Sequence, residues 1–329
     1  MKAVWYDRQG PAPEVLRYGE LPTPEPAPGE VRVRLAASAV NPADANRRRG
    51  GPLHAMDFPR VIPHSDGAGT VDAVGEGVDP RWLGARVWVC FGQRGRAWGT
   101  AAQFICVPQD LVASLPDALS FQQGACLGIP CMTAYCSLGD PGDLAGKNVL
   151  VTGGAGAVGH YAIQLAKWAG ARVLTTVSSP AKAEHAARGG ADIVIDHVRE
   201  DLGQAVLDAT HGAGVDRIVD VDAVANLQQV LAVAAPHATW VSYAIGAQAE
   251  ASVPFAALIR KNLSLRGLYL PGLPATARRA LQQGVSRWLS EVPGGLHAVD
   301  DIYPLCDTAR AHLAVEARRK LGTVLVACD

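Results

Sequence analysis

The chain has 329 residues, enough for two domains of ordinary size. Its 30 basic and 31 acidic side chains leave no excess charge to attract nucleic acid or an anionic membrane. The longest charge-free run lies between Asp117 and Asp140 and is broken by Gln122, Gln123, Gly124, Gly128 and Pro130, so it reads as a buried segment rather than a membrane span.

The stretch from Met1 to Arg8 lacks the apolar core of an export signal. Cys90, Cys106, Cys126, Cys131, Cys136, Cys306 and Cys328 form no C-x-x-C pair. An odd, scattered set without an export signal reads as reduced thiols in the cytoplasm, each a small buried hydrophobe.

In chain order, the first third is β-rich. Pro22 to Pro28 carries four prolines and must be an extended surface connection. Val31, Val33 and Leu35 alternate with Arg32, Arg34 and Ala36, which places the apolar set on one face of a strand. Further strands are expected over 70–74, 86–90 and 103–107, separated by Gly, Pro and Asp.

From about Lys147 the rhythm changes. Short apolar strands at 148–151, 172–177, 193–195, 217–221, 240–243 and 263–269 are interleaved with helices, beginning with 158–169 and 180–188. That alternation means parallel βαβ units with both sheet faces covered. Beyond Tyr269 it stops, leaving a polar helix over 275–289 and a last strand over 323–326.

The first strand of the parallel set runs into Gly153-Gly154-Ala155-Gly156-Ala157-Val158-Gly159 and a helix runs out of it. Gly154, Gly156 and Gly159 meet the G-x-G-x-x-G pattern. The first glycine serves the tight turn, the second the approach of a pyrophosphate, and the third close packing of helix on strand. With 35 glycines in the chain the pattern alone is weak, and its strand-turn-helix setting is what points to a dinucleotide on a helix N-terminus.

An NAD enzyme would usually carry Asp or Glu at the end of the second strand, for the ribose hydroxyls. Here that end reads Thr175-Thr176-Val177-Ser178-Ser179-Pro180-Ala181-Lys182, with no acid. Ser179 suits the helix cap and Pro180 the first helical position. Lys182 then falls in the first turn, where a cation opposes the helix dipole by about 0.3–1 kcal/mol unless an anion sits beside it. A 2′-phosphate is the natural anion, so the cofactor expected is NADPH.

Taken together, Val40-Asn41-Pro42-Ala43-Asp44, Pro63-His64-Ser65-Asp66-Gly67-Ala68-Gly69, Val74 to Val78, Gly99 to Gln103, Thr133-Ala134-Tyr135 and the glycine loop resemble the medium-chain dehydrogenase/reductase superfamily. The nearest resemblance is to its zeta-crystallin-like NADPH:quinone oxidoreductases, and it runs over nearly the whole chain. It implies an α/β fold in which a Rossmann doubly wound parallel sheet, residues 123–267, is inserted in a β-rich GroES-like catalytic domain made of residues 1–122 and 268–329. It also implies a cofactor in the cleft between the domains, and a homodimer (tetramers also occur) formed partly through the edge of the Rossmann sheet.

Zinc-dependent relatives carry Cys where this chain has Asn41, His followed by Glu where it has Ser65-Asp66, and a third ligand near Ile129. Nor is there a four-cysteine lobe, since no other Cys lies between Cys90 and Cys106. Tetrahedral zinc needs several converging N or S ligands, so no metal is expected, and His64 is read as a hydrogen-bonded cleft or core residue.

The resemblance carries cofactor contacts onto Thr133, Gly153, Gly154, Ala155, Gly156, Ala157, Val158, Gly159, Ser178, Ser179 and Lys182, and onto the backbone at Gly246, Leu268, Tyr269 and Leu270. His197 stands where the family has a tyrosine beside the adenosine phosphate. Arg318 aligns with an arginine that reaches the 2′-phosphate, although Arg318-Arg319-Lys320 reads equally as a solvated charge run. Asn41 and Asp44 match the catalytic pattern around the substrate, with Asn41 as a donor to the acceptor's oxygen. The tyrosines common just after that Asp are replaced by Asn46-Arg47-Arg48-Arg49. Phe91, Arg94, Arg96 and Trp98 form either a loop over the cleft or an ordinary exposed connection.

The chemistry expected is hydride transfer from NADPH to a quinone, which needs little acid catalysis. The rivals are reduction of an α,β-unsaturated carbonyl, which needs a proton at the α-carbon, and NADPH binding without turnover. Short-chain reductases are excluded, because none of the seven tyrosines has Lys four residues later.

Overall fold

The computed structural model describes residues 1–51, 55–246 and 248–328. The chain opens with strand β1 (Lys2–Trp5), a single helical turn α1 (Ala12–Val15) and strand β2 (Arg17–Glu20), which pairs antiparallel with β1. Strand β3 (Glu30–Val40), helix α2 (Pro42–Arg49), strands β4 (Asp66–Val74), β5 (Arg86–Val89), β6 (Phe104–Pro108) and β7 (Val112–Ser114) and helix α3 (Phe121–Ala125) follow. β3 is the spine of this sheet. Its Val31, Val33 and Leu35 are buried, as the alternation requires, and it pairs with both β4 and β6.

Next come helix α4 (Met132–Leu138) and six strands, β8 (Asn148–Val151), β9 (Arg172–Val177), β10 (Ile193–Asp196), β11 (Val215–Asp220), β12 (Ala234–Ser242) and β13 (Ser264–Gly267). Between them lie helices α5 (Ala157–Trp168), α6 (Pro180–Arg188), α7 (Leu202–Ala209), α8 (Ala223–Val233) and α9 (Phe255–Lys261). All six strands are parallel, in the order β10-β9-β8-β11-β12-β13. This is the doubly wound order, with its reversal between β8 and β11. Val149, Leu150 and Val151 are all fully buried, as befits a central strand covered on both faces.

Helix α10 (Ala275–Glu291) ends this region, and the chain returns through β14 (Val299–Pro304), α11 (Thr308–Glu316) and β15 (Thr323–Ala327), which pairs with β3. Ala3, Val4, Val40, Ile62, Val324 and Val326 form a core beneath that sheet. Among the described residues no helix is long and apolar enough to cross a membrane.

By contact, one unit comprises Met1–Ile129 with His297–Asp329, and the other Pro130–Leu296. These units divide at 129/130 and 296/297, where the sequence reading places domain boundaries at 122/123 and 267/268. The larger difference has a clear cause. α10 looks polar in sequence, but it buries Val285, Trp288 and Leu289. It packs on α4, where Gly284 makes room for a ring, since a Cβ there would lie 2.3 Å from Tyr135 Cζ. Trp288 also meets Tyr161 of α5 edge to face at 5.9 Å.

Candidate active site

In the parallel-sheet unit the predicted cofactor residues, Thr133 apart, follow the C-terminal ends of the strands. β8 gives way to a turn in which Gly153 has φ +71°, the left-handed region that favours glycine. Gly153 N donates to Thr176 Oγ1 at 3.0 Å and Gly154 N to Thr176 O at 3.1 Å, which ties the turn to the end of β9. A Cβ on Gly154 would lie 2.1 Å from Thr175 Oγ1, and one on Gly159 2.3 Å from Gly153 O. These two glycines are demanded by the fold itself. Gly156 is different: a Cβ there would meet nothing nearer than Gly153 O at 3.4 Å. The fold alone does not require its bareness, which leaves open space over the first turn of α5 of the kind a pyrophosphate uses. The residues present fit the dinucleotide.

Ser179 caps α6 as expected, its hydroxyl accepting from Lys182 N at 3.4 Å. The Lys182 side chain turns back, and Nζ donates to Ser178 Oγ at 2.9 Å. Ser178 is exposed and carries that cation at the mouth of the β9–α6 turn. His197, also exposed, follows β10 and donates its N–H to Val177 O at 3.1 Å. Thr133 is buried in α4. Past β12, a Cβ on Gly246 would strike Asp222 Oδ2. Past β13, Leu268 N donates to Ser242 O at 2.7 Å, Leu270 is buried and Tyr269 is exposed. Arg318 belongs to the other unit, exposed at the end of α11 with φ +55°.

That other unit holds Asn41 and Asp44. Asn41 precedes α2, and its N–H donates to Asp44 Oδ2 at 2.8 Å, one half of a capping box. Its side chain reaches a residue that the pattern of candidates had passed over: Nδ2 donates to Asp66 Oδ2 at 2.7 Å, and Ile129 N to the same oxygen at 2.9 Å. Asp66 is fully buried, and its Oδ1 has no partner among the described residues. Gly128 leaves room for that oxygen, since a Cβ would come within 2.1 Å of it. Burial pushes Asp66 up to about 8, helped by the Asp44 charge, and burial pushes Asp44 up to about 6 against the Arg47 charge.

The positions of Asn41, Ser65-Asp66 and Ile129 thus converge, but as an amide, a carboxyl and a peptide N–H that satisfy one another. Such a donor set does not fit zinc. Among the described residues no group of three His, Cys, Asp or Glu is placed to hold a metal.

His64 is fully buried at φ +78° and braces Asp66 from behind. Thr100 Oγ1 donates to Asp66 O at 2.7 Å, so Ser38 Oγ, 2.7 Å from Thr100 Oγ1, must donate to it. Ser38 has spent its one hydrogen, so His64 Nδ1, at 2.9 Å, is the protonated nitrogen. Burial holds His64 at about 3, hence neutral, so its Nε2 accepts from His312 Nε2 at 2.9 Å. The bare His312 Nδ1 then needs no donor, and it has none among the described residues. One direction of hydrogen bonding runs from His312 to the Asp66 carbonyl. Phe91 is buried, Arg96 pairs with Glu30 and Trp98 packs beside Ile62, so these three turn into their own unit rather than lying open.

Two family models match the chain, one described as an alcohol dehydrogenase GroES-like domain over residues 27–117, the other as a zinc-binding dehydrogenase over 157–290. Among curated relatives, a quinone oxidoreductase of Pseudomonas aeruginosa is 30% identical over 322 residues, covering 95% of this chain and 96% of its own. A 2-haloacrylate reductase of a Burkholderia species is 30% identical over 99% of this chain and 98% of its own. Of solved structures, an NAD-dependent alcohol dehydrogenase superposes with a TM-score of 0.90 at 30% identity over the whole of both chains. Escherichia coli quinone oxidoreductase complexed with NADPH does so with 0.85 at 28%, over 99% of this chain and 100% of its own. The chain belongs to the medium-chain dehydrogenase/reductase family. Within it, the chain falls in the zinc-independent, quinone-oxidoreductase-like branch and is an NADP(H)-dependent oxidoreductase.

Proposed function

We propose that the protein reduces quinones, with Asn41 and Asp44 at the acceptor and the glycine turn, Ser178 and Lys182 at the cofactor. The observation that carries the reading is the full-length similarity to quinone oxidoreductases from several organisms. When bound, NADPH supplies the hydride from C4 of its nicotinamide ring. The first-turn N–H groups of α5 take the pyrophosphate, and Lys182 with Ser178 takes the 2′-phosphate. His197 and the backbone at Gly246 and Leu268 to Leu270 complete the cofactor contacts. Asn41 gives one Nδ2 hydrogen to Asp66, and an amide nitrogen carries two; the second goes to the acceptor's oxygen as charge develops there.

A second reading has an observation of its own. Burial raises the Asp66 carboxyl to about 8, toward holding a proton near neutral pH, which suits a reductase of α,β-unsaturated carbonyls, and a 2-haloacrylate reductase is among the relatives. Steady-state NADPH oxidation ranks the two. Higher kcat/KM for simple 1,4-quinones supports quinone reduction; much higher values for 2-alkenals or enones transfer the assignment to the second reading. A protein that binds NADPH but consumes it with neither class is a binding component only.

The functional form is a homodimer in the cytoplasm. All four residues of edge strand β13 are exposed, and so are Phe255 and Ile259 of the neighbouring α9, a surface suited to a second copy. Light scattering at micromolar concentration should return twice the chain mass, and a monomer mass refutes it. No disulfide joins the cysteines among the described residues, which suits a reducing compartment.

A further inference from the structure

Asp220 ends β11 and is fully buried, and no ion pair reaches it among the described residues. Four neutral donors compensate the carboxylate instead. Oδ1 accepts from Thr152 Oγ1 at 2.6 Å, Asp222 N at 3.0 Å and Asn226 Nδ2 at 2.7 Å, and Oδ2 accepts from Trp240 Nε1 at 2.9 Å. These donors come from the end of β8, the cap and first turn of α8, and β12. A buried charge is tolerated on such terms only if every donor stays in place, so the carboxylate welds three elements at one point.

That point is the reversal between β8 and β11, outside which an open α/β sheet binds its ligand. Thr152 immediately precedes Gly153, where the glycine turn begins. Its hydroxyl donates to Asp220 and accepts from Val221 N at 2.9 Å, so its rotamer has no freedom left. Val221 in turn stands over the turn: a Cβ on Gly153 would lie 3.4 Å from Val221 Cγ1. Val221 is also 38% exposed, an apolar side chain left open at the mouth of the crevice.

We infer that Asp220, acting through Thr152, is a positioning residue of the NADPH site, and that Val221 is the apolar wall it holds against the dinucleotide. The inference rests on the glycine turn being that site. Because the lock acts on the pyrophosphate turn and not on the 2′-phosphate, its loss weakens NADPH and NADH alike. Loss of Lys182 weakens only NADPH, so the two effects are separable.

The test uses the full chain, with Kd for NADPH and NADH by calorimetry and the urea midpoint of each variant. Thr152→Val keeps the shape of the side chain, removes one donor from Asp220 and strands Val221 N. It should raise both Kd values about tenfold with their ratio unchanged, the loss of one good hydrogen bond's worth of preorganisation. Thr152→Ser restores the hydroxyl and should bind within about twofold of wild type. Asp220→Asn, which sets an amide against Trp240 Nε1, should weaken both cofactors at least as much if it folds; Thr152→Val carries the test if it does not. A Thr152→Val protein with a lowered urea midpoint and unchanged Kd values overturns the inference, because Asp220 is then a brace only. Gly156→Ala serves as the control. If it too leaves Kd unchanged, the turn is not the NADPH site, and it is the underlying reading that has failed.

Discussion

The proposed function rests cofactor choice on Ser178 and Lys182, and their geometry sharpens what each variant should do. Lys182 Nζ lies 2.9 Å from Ser178 Oγ, so the cation is already turned to the mouth of the β9–α6 turn. A charge-assisted hydrogen bond to a 2′-phosphate contributes roughly 1.5–3 kcal/mol. At about 1.4 kcal/mol per decade, Lys182→Ala should raise Kd for NADPH by about ten- to a hundredfold. NADH has no group there, and its Kd should hardly move. Ser178→Asp acts more strongly, because a carboxylate at that distance pairs with Lys182, removes it from the phosphate and accepts from the ribose hydroxyls of NADH. Its preference should invert. The assay is Kd for both cofactors in wild type and both variants, at about 0.1 M salt, where charges within about 10 Å still interact. A Ser178→Asp protein that keeps its NADPH preference, or equal affinities in wild type, would refute the reasoning.

The glycines of the turn should separate by what they serve. Gly159→Ala drives a Cβ to 2.3 Å from Gly153 O and should lower both the urea midpoint and NADPH affinity, whereas Gly156→Ala should keep stability within about 1 kcal/mol and lose the cofactor. Equal stability losses in the two would contradict the assignment of Gly156 to a ligand. Asp66 gives a pH dependence whose sign follows from burial. Its pKa is about 8 folded against an ordinary 3.8, so between those limits the folded state holds a proton that the unfolded state has released. Stability from this group therefore falls as pH rises, on the order of 1.4 kcal/mol per pH unit. Asp66→Asn should gain on wild type by that slope in urea midpoints measured from pH 5 to 7. Parallel curves would mean that Asp66 is ionised in the fold.

Much of this was legible in sequence because it is periodic or local. Val31, Val33 and Leu35 announce a half-buried strand by alternation, and Asn148 to Val151 a central parallel strand by continuous apolarity. Pro180 after Ser179 marks the start of α6. β14 escaped notice because Val299-Asp300-Asp301-Ile302-Tyr303-Pro304 is an edge strand with little burial on either face, so no pattern is imposed on it. α10 is legible as a helix but reads as polar because Arg278, Arg279 and Arg287 mask the stripe of Val285, Trp288 and Leu289. The sites divide in the same way. The glycine turn and its cap are contiguous, and they can be read. Asp66 on Asn41, His64 on His312, and Asp220 on Thr152 and Trp240 are pairings made by tertiary contact, the second across 248 positions. No spacing rule signals them. A Pro63-His64-Ser65-Asp66 turn with His at positive φ is the one local hint, visible only once the backbone is known.

The proposed activity is movement of a hydride from NADPH to an acceptor, beyond mere binding of the cofactor. Its most direct test is an anaerobic single turnover, mixing the protein and one equivalent of NADPH with excess 1,4-benzoquinone. NADPH absorbance should decay in step with hydroquinone formation, one for one, and more slowly when the transferred C4 hydrogen is deuterium. Bound NADPH that stays reduced in the presence of quinone and of enone alike would contradict it.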